Sequence, residues 1–349
     1  MLPTEHNLLS LTDTVGYLQY QQVHQENIKQ IIKKSKSENT IRALATDIRL
    51  FEVWCNEHNQ FRPEEQHHKT LPSTPHTVIS YLMYLKEQGM SYSTIKRKLS
   101  SISTLHELKK LENPTKTIEV QTFMTGLAND YKENNLWTKG KRALTWEELK
   151  QMVDTIDLSK SIGIRDKAIL LIGFMTASRR SELVSIRAEN IQFITGKGIV
   201  INIFQAKTKE WIKKAVAMNG GKYCPVSSLL HWMYHSYLID PSKNTFNRGY
   251  VFRSIDRHGN IDLPSLQLGD KTVAMIVKKY AERIGKNQEY YAGHSLRKGL
   301  PTEVQYDKDY DLRDIMRQTG HKSEKTLKIY MQTLSDENLF RNNITNKLR

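Results

Sequence analysis

The segment Gly196-Lys197-Gly198-Ile199-Val200-Ile201-Asn202-Ile203-Phe204, followed by the polar turn Lys207-Thr208-Lys209 and then by Trp211-Ile212-Lys213-Lys214-Ala215-Val216-Ala217-Met218, is where the chain abandons helical periodicity. Ile and Val crowd its first arm, and β-branched side chains pack well on a pleated surface. Two such arms around a short polar turn predict a β-hairpin or a small sheet. On both sides of it apolar residues return to spacings of three and four, so the hairpin is an island in a helical chain.

Upstream, four amphipathic stretches succeed one another: Thr40 to Trp54, Thr77 to Gln88, Ser93 to Lys110 and Ile118 to Tyr131. In the first, Ile41, Leu44, Ile48, Phe51 and Trp54 share one helical face, while Arg42 and Arg49 fall outside it. Thr74-Pro75 and Ser91-Tyr92-Ser93 supply capping oxygens or a helix-starting proline, and Asn113-Pro114 stops the helix before it. This half is expected to be a helical bundle. Tyr131 to Arg142 has little apolar periodicity but carries Lys132, Lys139, Lys141 and Arg142, and it reads as a basic linker.

A second domain opens at Thr145 and Glu148, which have capping-box spacing. Ile164 to Met175 is apolar almost all round, as a buried helix is. After the hairpin come helices near Val226 to Tyr237, Lys271 to Ile284, His294 to Gln305, Leu312 to Gln318 and Ser323 to Tyr330. Leu300-Pro301-Thr302 places a proline where it is tolerated only in a first turn, so the helix around it is expected to begin later than His294. The fold class is therefore mainly α, a helical N-terminal domain followed by a mainly α domain with a small antiparallel β-sheet.

Composition narrows the partner. The 349 residues include 52 Lys and Arg against 37 Asp and Glu, a formal net charge of +15, which favours a polyanion. Nucleic acid leads, and an anionic membrane surface is second. The longest apolar run, Ala168 to Ala177, is about half of the ~20 residues that span a bilayer, and the amino terminus has no charged-then-apolar signal pattern. A soluble cytoplasmic, nucleoid-associated protein is expected. Cys55 and Cys224 are the only cysteines, too few and too far apart for a structural zinc site.

Three motifs carry chemistry suited to a phosphodiester: cations for its non-bridging oxygens, a proton for the leaving oxygen, and a nucleophilic side chain. Arg179-Arg180-Ser181-Glu182-Leu183 sets Arg179 and Glu182 on one helical face, a spacing that alone describes an ordinary surface ion pair. Gly293-His294-Ser295-Leu296-Arg297 sets an imidazole and a guanidinium three residues apart. Thr319-Gly320-His321 is followed, nine positions after the histidine, by Tyr330 in Leu327-Lys328-Ile329-Tyr330-Met331.

Taken in order, Arg-x-x-Glu-Leu, a hairpin lysine, His-x-x-Arg, Gly-His and Tyr resemble the tyrosine recombinase (phage integrase) family, and within it the Cre-like simple site-specific recombinases. Cys224-Pro225-Val226 resembles the family's segment after the hairpin. Tyr92-Ser93-Thr94-Ile95 and Asn113-Pro114-Thr115 look like parts of its core-binding domain.

The resemblance implies that Tyr330 is the nucleophile, leaving a 3′-phosphotyrosine and a free 5′-hydroxyl. Arg179 and Arg297 would clamp the scissile phosphate, with Glu182 supporting Arg179. His294 would bind phosphate and handle the nucleophile's proton. Lys207 best matches the hairpin lysine that protonates the leaving oxygen, with Lys209 as its rival. His321 would donate a further hydrogen bond or pack beside the nucleophile. Arg180 leaves room for misassignment, although only Arg179 keeps the spacing to Glu182. No cofactor and no metal is expected.

Lys96, Arg97 and Lys98 in the first domain, with Lys139, Lys141 and Arg142 in the linker, are the DNA-contact candidates. The expected organisation is a tail at 1–21, a core-binding domain at 22–131, a basic linker at 132–142, a catalytic domain at 143–333 and a C-terminal helix at 334–349. That last segment, with Leu334, Leu339, Phe340, Ile344 and Leu348, docks either on its own domain or, as the resemblance suggests, on a neighbour in a homotetramer on DNA. The short segment before the bundle favours sites made of short inverted repeats. The expected function is integration, excision or resolution through a Holliday junction. A type IB topoisomerase-like enzyme and a non-catalytic DNA-binding protein of the same fold are the alternatives.

Overall fold

The computed structural model describes residues 38–60, 63–136, 140–206, 208–240, 245–305, 307 and 309–331. The chain divides into two compact units, 1–139 and 140–349. The expected N-terminal tail and C-terminal helix lie outside the described residues.

The first unit is built from α1 (Glu38–Asn59), α2 (Pro75–Glu87), α3 (Tyr92–Leu108) and α4 (Ile118–Glu133). The Thr74 and Ser91 hydroxyls accept from the third backbone N–H of α2 and α3, which fixes where each helix begins. Phe51, Trp54, Tyr81, Leu82, Ile95 and Ile102 form the centre of its core.

A pair of opposite charges is inside that bundle. Asp47 of α1 is 2% exposed and accepts from Ser101 Oγ at 2.9 Å and Lys98 Nζ at 3.3 Å, and Arg97 reaches the same carboxylate. Lys98 shares the inner face of α3 with Ile95 and Ile102, three and four positions away. The expectation that Lys98 faces DNA is therefore corrected: its ammonium is buried against Asp47. Arg97 keeps about half of its side chain in solvent, and Lys96 is exposed.

The second unit begins with α5 (Trp146–Asp154), whose Thr145 and Glu148 form the capping box that their spacing predicts. Then come the buried α6 (Ser161–Thr176), the five-residue α7 (Arg180–Val184), and a three-stranded antiparallel sheet of β1 (Ile191–Ile194), β2 (Gly198–Gln205) and β3 (Glu210–Ala217). The hairpin register runs from Gly198 opposite Ala217 to Gln205 opposite Glu210. β1, absent from the sequence reading, pairs Ile191 with Ile201. A two-stranded ribbon, β4 (Ile239–Asp240) and β5 (Thr245–Phe246), follows α8 (Pro225–His235).

The remaining helices are α9 (Asp270–Arg283), α10 (Gly293–Val304), α11 (Leu312–Thr319) and α12 (Glu324–Tyr330). α10 corrects the expectation of a late start, since it begins at Gly293 and carries Pro301 in its interior. Pro301 is buried, and Gly299 lies so close to α6 that a Cβ there would meet Phe174 Cε2 at 2.3 Å and the Leu144 carbonyl oxygen at 2.6 Å. The core of this unit contains Ile169, Leu171, Phe174, Ile201, Trp232, Val277 and Leu296. Among the described residues no helix is long and apolar enough to cross a membrane.

Candidate active site

The site forms where α6, α7, β3, α10 and α11 meet. α6 ends on Ala177 in the left-handed region, φ 45°, and this sharp stop turns the chain so that Arg179 caps α7. Glu182, one turn into α7 and 3% exposed, accepts from the Arg179 backbone N–H at 2.9 Å, and its other oxygen accepts from the Arg179 guanidinium. Arg179 itself keeps 27% of its side chain in solvent.

Arg297 comes from α10 and is wholly buried. Its Nη1 donates to the Ala177 carbonyl at 2.7 Å and lies 3.7 Å from Glu182 Oε2, so one carboxylate faces both arginines. Its Nη2 sits 3.1 Å from His321 Nε2. A guanidinium only donates, so Nε2 must be the acceptor and the ring proton belongs on Nδ1, which lies 2.7 Å from Thr319 Oγ1. The Thr319 hydroxyl in turn donates to the Ile315 carbonyl at 2.7 Å. Burial, and after it the cations Arg297, Arg179 and Lys214, push the His321 pKa down to about 3, which keeps the ring neutral. In this arrangement His321 accepts from Arg297; the sequence alone leaves it donating a hydrogen bond to phosphate or packing beside the nucleophile.

His294, the second residue of α10, is exposed. Partial burial, followed by the neighbouring Arg297, Lys298, Arg179 and Arg180, lowers its pKa. Lys207 lies outside the described residues. Lys209 is described: its backbone is left-handed, φ 56°, and its N–H donates to the Gln205 carbonyl at 2.7 Å, closing the hairpin. Tyr330 is the last residue of α12, in the same unit as the arginines, and its side chain lies outside the described residues.

Sequence reasoning missed Lys214. It is 0% exposed, and its Nζ donates to the carbonyl of Thr176, the last residue of α6, and lies 3.4 Å from that of Thr319, the last of α11. The signal was present: Ile212, Lys214 and Val216 alternate with exposed Trp211, Lys213, Ala215 and Ala217, which puts Lys214 on the inward face.

The linker cations divide. Lys141 donates to the Glu289 carbonyl, Arg142 lies 3.3 Å from Glu148, and Lys139 is outside the described residues. Among the described residues no cluster of three or more His, Cys, Asp or Glu side chains could hold a metal ion.

The model of the phage integrase family matches residues 142–337, more than half of the chain, and that of the phage integrase N-terminal SAM-like domain matches 27–113. The chain belongs to the phage integrase family, the tyrosine recombinases. An integrase/recombinase XerD homolog of Selenomonas ruminantium is 34% identical over 330 residues, covering 92% of this chain and 88% of that protein. The recombinase Cre of Escherichia phage P1 is 25% identical over 324 residues, covering 87% of each. Among solved structures, the XerH site-specific recombinase bound to its difH substrate in a pre-cleavage complex superposes with a TM-score of 0.57 at 16% identity, covering 86% of this chain and 78% of that one. That match shows a shared fold. The tyrosine recombinase is an enzyme that transfers DNA strands at specific sites, and its fold is mainly helical with a small three-stranded antiparallel sheet and a two-stranded ribbon.

Proposed function

We propose that this recombinase cuts through Tyr330, which attacks the scissile phosphorus, displaces the 5′-oxygen and leaves a 3′-phosphotyrosine. The observation that carries the reading is the contact between Arg179, Glu182, Arg297 and His321, four residues drawn from motifs far apart in the chain. A guanidinium pair suits the two non-bridging oxygens, because each can donate two parallel hydrogen bonds. Arg179, with its exposed surface, meets the phosphate first. Arg297 engages by exchanging a present partner, the Ala177 carbonyl or His321, for a phosphate oxygen.

His294, whose pKa is lowered by burial and then by the cations around it, accepts the Tyr330 proton. Lys207 delivers a proton to the leaving 5′-oxygen. The phosphotyrosine preserves the energy of the broken bond, so a second strand's 5′-hydroxyl displaces the tyrosine without a nucleotide cofactor or a metal.

Two cleavage and exchange rounds through a Holliday junction require four active sites, and the reading is of a homotetramer on short inverted repeats, working in the cytoplasm. The segment 334–349, with Leu334, Leu339, Phe340, Ile344 and Leu348, would dock on its own domain or on a neighbouring protomer of that tetramer.

A plasmid bearing two directly repeated copies of the site tests this. The wild-type chain yields two smaller circles, and Tyr330→Phe yields none. Relaxed plasmid without product circles would instead indicate a topoisomerase.

A further inference from the structure

The second unit contains a buried cation that the strand-transfer scheme above does not use. Lys214 has no exposed surface, and its ammonium is engaged by backbone carbonyls. Burying an ammonium is costly, and hydrogen bonds and a compensating charge are needed to hold it there. Its acceptors are both helix ends: the last carbonyl of α6 and the last carbonyl of α11. Such carbonyls carry the negative end of the helix dipole, which suits a cation.

The chain continues from these two points directly into the site. Arg179 lies three residues beyond Thr176, and His321 two beyond Thr319. Between them sits Arg297, bonded to the Ala177 carbonyl and facing His321. The charged groups around Lys214 come from every side of this assembly: Glu182 of α7, which favours its charged form, and Arg179 and Arg297, which oppose it. Lys213, the preceding residue, points the other way and is exposed.

We propose that Lys214 is a positioning residue for strand transfer: by tying the C-terminal carbonyl of α6 to that of α11, it fixes Arg179 and His321 on either side of Arg297. Small displacements at a phosphate-binding pair are amplified in rate, because a shift of about 1 Å in a catalytic group costs on the order of a hundredfold. The ammonium has a second effect, since its charge is one of those that hold His321 neutral. This inference rests on the recombinase reading of the site.

The test uses the full chain with Lys214→Met, Lys214→Gln and, as an exposed control, Lys213→Met, at protein concentrations that saturate the DNA. Single-turnover formation of the covalent adduct is followed on two suicide duplexes, one with the ordinary scissile phosphate and one with sulfur replacing the bridging 5′-oxygen, whose thiolate departs without a proton. The expected result is at least tenfold slower cleavage by Lys214→Met on both duplexes. Lys214→Gln, which retains two N–H donors for the carbonyls, is expected to lose less, and Lys213→Met to stay within twofold of wild type. Rates of Lys214→Met and Lys214→Gln within twofold of wild type would overturn the proposal. Recovery of Lys214→Met to the wild-type rate on the sulfur duplex would also overturn it, by making Lys214 the proton donor.

A readout independent of cleavage is the titration of His321 in isotope-labelled protein, assigned through a His321→Gln spectrum. In the Gln or Met variant it is expected to rise above its wild-type value, and an unmoved titration would count against the clamp. If the wild-type chain forms no adduct on any duplex, the recombinase reading fails, while the histidine titration still reports on Lys214.

Discussion

Arg297 Nη2 and His321 Nε2 lie 3.1 Å apart, with the imidazole accepting from the guanidinium and donating through Nδ1 to Thr319. A buried arginine is thereby held by a histidine that must remain uncharged.

This predicts a pH dependence of stability. The folded His321 titrates at about 3, against about 6.5 in an unfolded chain. Between those values the unfolded state binds the extra proton, so stability rises with pH and is lost as pH falls below 6.5 toward 3. Each unit in that window costs about 1.4 kcal/mol from this one group. Urea unfolding of wild type and His321→Gln at pH 7 and pH 5 checks it: the wild type should lose more stability than the variant.

Glu182 faces both Arg179 and Arg297, and a neutral amide in its place keeps the shape but removes the charge that holds them. Glu182→Gln is expected to slow covalent adduct formation by about tenfold to a hundredfold, as misplacement of phosphate-binding groups does. DNA affinity, measured by gel retardation, should change far less.

In the first unit, Asp47 neutralises the buried Lys98. Asp47→Ala leaves that ammonium inside without a carboxylate and should destabilise the unit by about 3 kcal/mol or more. The double variant Asp47→Ala, Lys98→Met should recover most of the loss in chemical denaturation. Failure to recover would mean that the loss comes from Arg97 or Ser101.

Gly299 has no room for a methyl group, since Phe174 and the Leu144 carbonyl occupy the space. Gly299→Ala should cost about 1–3 kcal/mol through overpacking. Because Arg297 lies two residues away on the same helix, cleavage should fall with it. A calorimetric scan and an adduct assay on the same preparation test both.

Much of this was legible beforehand because it rests on local chemistry. Thr145 with Glu148 marks a capping box, the Ile/Val arms mark β2 and β3, and the helical periods mark α1 to α4 to within a few residues. What escaped depends on tertiary context. β1 is four residues long and owes its strand form to pairing with β2. Pro301 sits inside α10, buried two residues after Gly299, whose close approach to α6 no local pattern reveals. Lys98 reads as a DNA contact and Lys214 draws no notice, because lysine is seldom buried. Yet each lies in phase with apolar neighbours, Ile95 and Ile102 for one, Ile212 and Val216 for the other, and phase was the better guide.

The central claim concerns Tyr330, and the most direct measurement is the site of attachment itself. Wild-type chain and Tyr330→Phe are incubated with a labelled suicide duplex, separated under denaturing conditions, and the labelled protein is digested and sequenced by mass spectrometry. The account predicts a wild-type adduct whose nucleotide sits on the peptide containing Tyr330, and no adduct in the variant. An adduct on another residue, or one that survives Tyr330→Phe, would contradict it.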